Sequence, residues 1–184
     1  MRILVAYASR RGATKGIAER IAVTLEAQGL DVTFKPFHEA RDVDEYDAFV
    51  LGSSAYMRHW EPDAAAFIRQ HAAVLAARPV WLFSSGPVGT ETVDKQGRDV
   101  IAASRPQEFA TFDALVHPRD MKIFFGAYDP TSAEASFVER LVTVVPAIRD
   151  AMPSGDYRDW PEIEGWAKGI AFTLHPTLAM SAAG

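Results

Sequence analysis

The chain of 184 residues has no cysteine. That excludes a disulfide, a thiol redox pair, a thiolate-held zinc and an iron–sulfur cluster held by its own thiolates. Any redox chemistry must belong to an organic cofactor. No apolar run approaches the roughly 18–20 residues of a membrane span. Met1-Arg2-Ile3 leads into a strand pattern rather than a signal-peptide apolar region, so a cytoplasmic protein is expected, with membrane contact peripheral at most. The charge balance is −5 and no segment is densely basic, which leaves nucleic acid without an electrostatic footprint. Signature motifs are missing as well. There is no GxGxxG, and no triphosphate P-loop, because Gly12 and Gly16 are too close and Lys15 precedes the second glycine. The histidines at 38, 59, 71, 117 and 175 show no metal-ligand spacing, so no metal site is expected. Strand ends reading Tyr7-Ala8-Ser9 and Gly52-Ser53-Ser54 carry no acid, which argues against a phospho-acceptor domain.

What is present is a series of short apolar runs, Ile3 to Ala8, Val32 to Phe34, Ala48 to Leu51, Val80 to Phe83 and Lys122 to Gly126, separated by helical stretches. Runs that are apolar throughout, such as Val80-Trp81-Leu82-Phe83, suit strands buried on both faces of a parallel sheet. Ile17, Ile21 and Leu25 give one face of a helix from Lys15 to about Gln28 that stops at Gly29. A second helix is expected over Ala64 to Ala77, opened by Glu61-Pro62-Asp63, a short one around Pro106 to Leu115, and a closing one over Asp159 to Leu174. The pattern predicts an α/β, doubly wound five-stranded parallel sheet, for which 2-1-3-4-5 is one common order, in a single domain over 1–175 with a tail at 176–184. Thr90 to Arg105 reads as a surface excursion. Pro130 to Pro153, with a kink expected at Pro146, reads as helix that covers the domain or pairs two subunits as a homodimer.

In such a sheet ligands bind beyond the carboxyl ends of the strands, where the order reverses. Three loops are expected there. Ser9-Arg10-Arg11-Gly12-Ala13-Thr14 places hydroxyls and backbone N–H groups at a helix start, as a phosphate requires. Gly52 to Pro62 offers Tyr56, Met57 or Trp60 against the face of a flat ring and the backbone of Ser53, Ser54 and Ala55 at its edge. Ser84-Ser85-Gly86-Pro87-Val88-Gly89 can turn N–H groups toward the polar edge of the same ring. Each loop alone is also readable as an ordinary turn. Together they describe a mononucleotide-sized flavin site. His59 is the one histidine bordering it and a candidate for proton handling.

The pattern Tyr7-x-Ser9-x-x-Gly12-x-Thr14, the loop Gly52-Ser53-Ser54-x-Tyr56, the strand ending Phe125-Gly126-Ala127-Tyr128-Asp129-Pro130 and the closing Tyr157-Arg158-Asp159-Trp160-x-x-Ile163-x-x-Trp166-Ala167-x-x-Ile170-Ala171 resemble the flavodoxin-domain family, in the branch that includes the menaquinone-dependent protoporphyrinogen oxidases. The resemblance implies a flavodoxin-like fold and non-covalent FMN, with its phosphate at Ser9 to Thr14 and its ring between the loops at 53–60 and 84–90. It also implies an oxidoreductase working with a quinone-like or porphyrinogen-like partner. An electron carrier serving a redox protein, and a cofactor-free interaction module on the same fold, remain open alternatives. Arg11 stands where electron-carrier flavodoxins usually have Thr or Ser, and Pro130 to Pro153 is less basic than the matching insertion of the haem-pathway enzymes.

Overall fold

The computed structural model describes residues 1–129 and 154–175. The expectations for Pro130 to Pro153 and for the tail at 176–184 lie outside the described residues. In chain order the elements are β1 (Arg2–Ala8), α1 (Ala13–Ala27), β2 (Asp31–Pro36), β3 (Ala48–Tyr56), β4 (His59–Trp60), α2 (Pro62–Gln70), α3 (Ala72–Ala76), β5 (Val80–Ser85), α4 (Val100–Ala103), α5 (Glu108–Val116), β6 (Asp120–Phe124), β7 (Ala127–Tyr128) and β8 (Gly155–Asp156). The last helix, α6, is Trp160–Leu174.

The principal strands pair in parallel in the order β2-β1-β3-β5-β6, which is the expected arrangement once the short β4 hairpin arm is set aside. Alternation along each strand divides the core in two. Leu4, Ala6, Phe49, Leu51 and Leu82 face α2, α3 and α5, while Ile3, Val5, Val50, Trp81 and Phe83 face α1 and α6. Burial on both faces is why these strands read as unbroken apolar runs. Gly52 is required by this packing, since a Cβ there would lie 1.9 Å from the Phe83 ring.

Three local expectations are corrected. The helix expected over Ala64 to Ala77 is divided at His71, where the backbone opens to φ −105°, ψ 17° and the imidazole packs 4.6 Å from the Phe67 ring. The excursion at 90–105 contains α4, begun by Asp99, whose carboxylate accepts the Ala102 N–H at 2.8 Å. The third bears on the site: β3 and β5 run on through Ser53-Ser54 and Ser84-Ser85, because these small residues keep the parallel register with each other. Much of what reads as loop is therefore sheet, and the site rests on its rigid edge.

Candidate flavin site

The chain leaving the carboxyl ends of β1, β3, β5 and β6 surrounds a cleft open to solvent. Four walls come from separate parts of the sequence: Arg10 to Thr14, Ser54 to Tyr56 with Glu61, Ser85 to Val88, and Gly126 to Tyr128.

The first wall is the mouth of α1. Gly12 is the N-cap at φ 78°, a left-handed conformation that glycine adopts at little cost. The Gly16 N–H reaches the Gly12 carbonyl at 3.0 Å, which leaves the N–H groups of Ala13, Thr14 and Lys15 without partners inside the helix. No side chain caps α1 and its first turn carries no acid. Ser9 Oγ is buried here and has no hydrogen-bond partner among the described residues. Uncapped donors, the positive end of a helix dipole and an orphaned hydroxyl fit a phosphate-sized anion. Ser9, Gly12 and Lys15 also border an adjoining hollow shared with His38 and Glu61.

The second wall is the end of β3, which turns back into β4 through Met57 (φ 50°) and Arg58 (φ 65°). Tight hairpins of this kind favour Asn-Gly, and each non-glycine residue held left-handed costs roughly 1–2 kcal/mol. The hairpin keeps Tyr56 about half exposed at the rim, with the Arg10 guanidinium 4.5 Å from its ring centroid. Ser54 Oγ accepts the Arg10 N–H at 3.3 Å and donates to Glu61 Oε1 at 3.1 Å, while Arg10 Nε lies 3.8 Å from the same carboxylate oxygen. The loop before α1 is thereby tied to β3.

The third and fourth walls are linked in the same way. Thr14 Oγ1 and Ser85 Oγ share a buried hydrogen bond of 2.7 Å, joining α1 to the end of β5. Gly126 N–H donates to the Pro87 carbonyl at 2.8 Å, and Gly86 N–H donates to the Phe124 carbonyl at 3.3 Å. A Cβ added at Gly86 would meet nothing within 4 Å, so the loop leaves open space at the cleft. On the far side the Arg11 guanidinium lies 4.9 Å from the Tyr128 ring centroid.

Of the residues expected at the site, Arg10, Arg11, Ala13, Thr14, Ser54, Ala55, Tyr56, Ser85, Gly86 and Val88 border the cleft, while Ser9 and Gly12 lie at the mouth beside it. Others are placed elsewhere. Trp60 is buried between Phe109 and Phe112, at centroid distances of 5.7 and 5.3 Å, because it follows the hairpin turn on the inward side of β4. Met57 is exposed at the hairpin tip, so Tyr56 is the aromatic that remains at the rim. Ser53 is buried with its Oγ donating to the Ser54 carbonyl and accepting the Glu61 N–H. Ser84 is buried and donates to the Ser53 carbonyl. Pro87 contributes its carbonyl to Gly126, and Gly89 turns the chain away at φ 117°.

His59 faces Glu108, with Nδ1 2.9 Å from Oε1, away from the cleft lining. Burial pushes the Glu108 carboxyl up, but hydrogen bonds from the His59 ring, its own N–H and the Trp60 N–H outweigh it and hold the group below its usual range. The pair fastens the hairpin to α5. Sequence reading did not place Glu61, Gly126, Ala127 or Tyr128 at the site. Glu61 lay within the expected loop at 52–62 but was given a role only as a helix opening, and the other three follow a strand whose neighbours are set by sheet order.

Protoporphyrinogen IX dehydrogenase [quinone] of Escherichia coli strain K12 is 25% identical over 190 residues, which cover 97% of this chain and 99% of that one. A flavodoxin variant from Pseudomonas aeruginosa superposes with a TM-score of 0.57 at 14% identity, covering 93% of this chain and 97% of its own. Oxidised flavodoxin 2 from Bacillus cereus gives 0.53 at 22% identity, covering 94% and 98%. These two structures speak for the fold. The flavodoxin domain model matches residues 4–141, the larger part of the chain, and with the sheet order and the cleft at its carboxyl edge it makes this protein a member of the flavodoxin-domain family.

Proposed function

We propose that the chain binds FMN non-covalently and acts as an oxidoreductase, passing electrons between a reduced donor and a quinone-like or porphyrinogen-like partner. The observation that carries this reading is Ser9 Oγ, buried and unpartnered beside the uncapped N–H groups of α1 in a flavodoxin domain. The partner class is supported by the Escherichia coli relative, whose name gives both a porphyrinogen and a quinone.

The bound flavin would supply the redox chemistry, accepting electrons and handing them on. The N–H groups of Ala13, Thr14 and Lys15, with Ser9 Oγ, would hold the phosphate. The cleft segments at Ser54–Ala55 and at Gly86 and Val88 would border the ring, and Tyr56 would cover one side of it. Arg10, Arg11 and one carboxylate, Glu61, are the charged residues that line the cleft. No side chain is required as a nucleophile.

The test is a titration of FMN into purified protein, followed by flavin fluorescence, and then anaerobic oxidation of the photoreduced complex by a soluble naphthoquinone, with the flavin reduced again by light and EDTA between additions. Saturable quenching and repeated turnover are expected. Absence of saturable binding would overturn the reading, whereas tight binding with negligible quinone turnover would make the protein an electron carrier.

A further inference from the structure

We infer that Arg158, 145 positions away in sequence, is a positioning residue for the phosphate mouth of α1. This rests on the FMN reading above and adds to it a group from the opposite end of the chain. The Arg158 side chain is mostly buried and is held on three sides. Nε and Nη2 donate to the two oxygens of Asp156 at 2.7 and 2.6 Å, and the guanidinium lies 4.4 Å from the Trp160 ring centroid. On its third side it lies against Gly16, where a Cβ would come within 2.4 Å of Nη1. Nη1 donates to the Ala13 carbonyl at 3.4 Å.

That last contact has a chemical consequence. The Ala13 carbonyl and the Thr14 N–H belong to one planar peptide unit. A cation on the carbonyl polarises the unit and strengthens the N–H at its other end as a donor, and this N–H is one of the groups left open at the mouth. The neighbouring residue extends the brace, since Tyr157 N–H donates to the Gly126 carbonyl at 3.0 Å and Gly126 N–H donates to Pro87. The segment after β8 therefore joins the phosphate mouth to the wall of the ring slot. Arg158 does not line the cleft. Its effect reaches the ligand through Ala13 and through the fixed first turn of α1.

The experiment compares equilibrium binding of FMN with that of riboflavin, which has the same ring and lacks the phosphate, in wild type, Arg158→Gln and Arg158→Lys. Arg158→Gln is expected to weaken FMN about fivefold to tenfold, the scale of one charge-assisted hydrogen bond to a helix end, and to leave riboflavin unchanged. Arg158→Lys should recover part of the loss, because it keeps the charge but not the planar fork. Gly16→Ala should reproduce the loss by displacing the guanidinium. In an Arg158→Ala background, Gly16→Ala should cost nothing further, because the atom it meets is gone. Equal loss of FMN and riboflavin, no loss of either, or a full additional cost of Gly16→Ala in the double variant would overturn the inference. Wild-type protein that binds riboflavin as tightly as FMN would instead overturn the phosphate reading on which it rests.

Discussion

The mouth of α1 and the ring slot beside it are built in opposite ways. The mouth comes from consecutive residues, 9 to 15, and works through backbone groups whose directions follow from one glycine and the start of one helix. The slot is assembled from segments near 55, 86 and 127, joined to the mouth and to each other by single hydrogen bonds such as Thr14–Ser85 and Gly126–Pro87. A local site is fixed once its helix forms, while a composite one depends on every strand that carries a wall. The first should discriminate by charge and the second by shape.

Substitutions can break this contrast. The largest effect is expected from Trp60→Ala, which empties a buried space between Phe109 and Phe112 and should cost about 3–5 kcal/mol, read by thermal or urea unfolding. FMN affinity measured at a temperature where the variant is folded should fall little. A drop in affinity without a drop in stability would put Trp60 back on the ring. Next comes Gly12→Val, which places a β-branched residue at φ 78° and should destabilise by about 1–3 kcal/mol. It should weaken FMN far more than riboflavin, since the damage is confined to the mouth. Tyr56→Ala should do the reverse, lowering both affinities by a similar factor of roughly 3–10 and preserving the preference for the phosphate ester. If Tyr56→Ala changed that preference, the mouth and slot would not be separable.

The smallest effect concerns acid. Hydrogen bonds from Arg158 hold the Asp156 carboxyl below its usual range, against the opposing effect of burial. A carboxyl depressed in the folded state contributes its stability in full above the unfolded value of about 4 and loses it as the pH falls through the folded value. The difference in melting temperature between wild type and Asp156→Asn should accordingly shrink below about pH 4. A difference that grew on acidification would mean that Asp156 is not the anchor of Arg158.

The parallel strands and the face of α1 were legible because burial on both faces leaves unbroken apolar runs at 3–6, 48–51 and 80–83, and because Ile17, Ile21 and Leu25 repeat at helical spacing. Among the described residues, no helix is long and apolar enough to cross a membrane, in line with the absence of long apolar runs. The extent of β3 and β5 was not legible, since Ser53-Ser54 and Ser84-Ser85 have the composition of a loop and pair because the sheet sets them beside each other, Ala8 and Ile123-Phe124. Trp60 illustrates the same limit. An aromatic next to a turn has two faces available, and the hairpin through Met57 and Arg58 chose the inner one.

The sequence by itself determined the sheet, its family likeness and the glycine-capped opening of α1, because each of these follows from the spacing of neighbouring residues along one element. Tertiary structure alone decided that Glu61 and Tyr128 border the cleft, that Trp60 leaves it, and that Arg158 reaches Ala13 and Gly16. These depend on which side chains are brought together from distant parts of the chain, and strand order and packing set that pairing where no local pattern can.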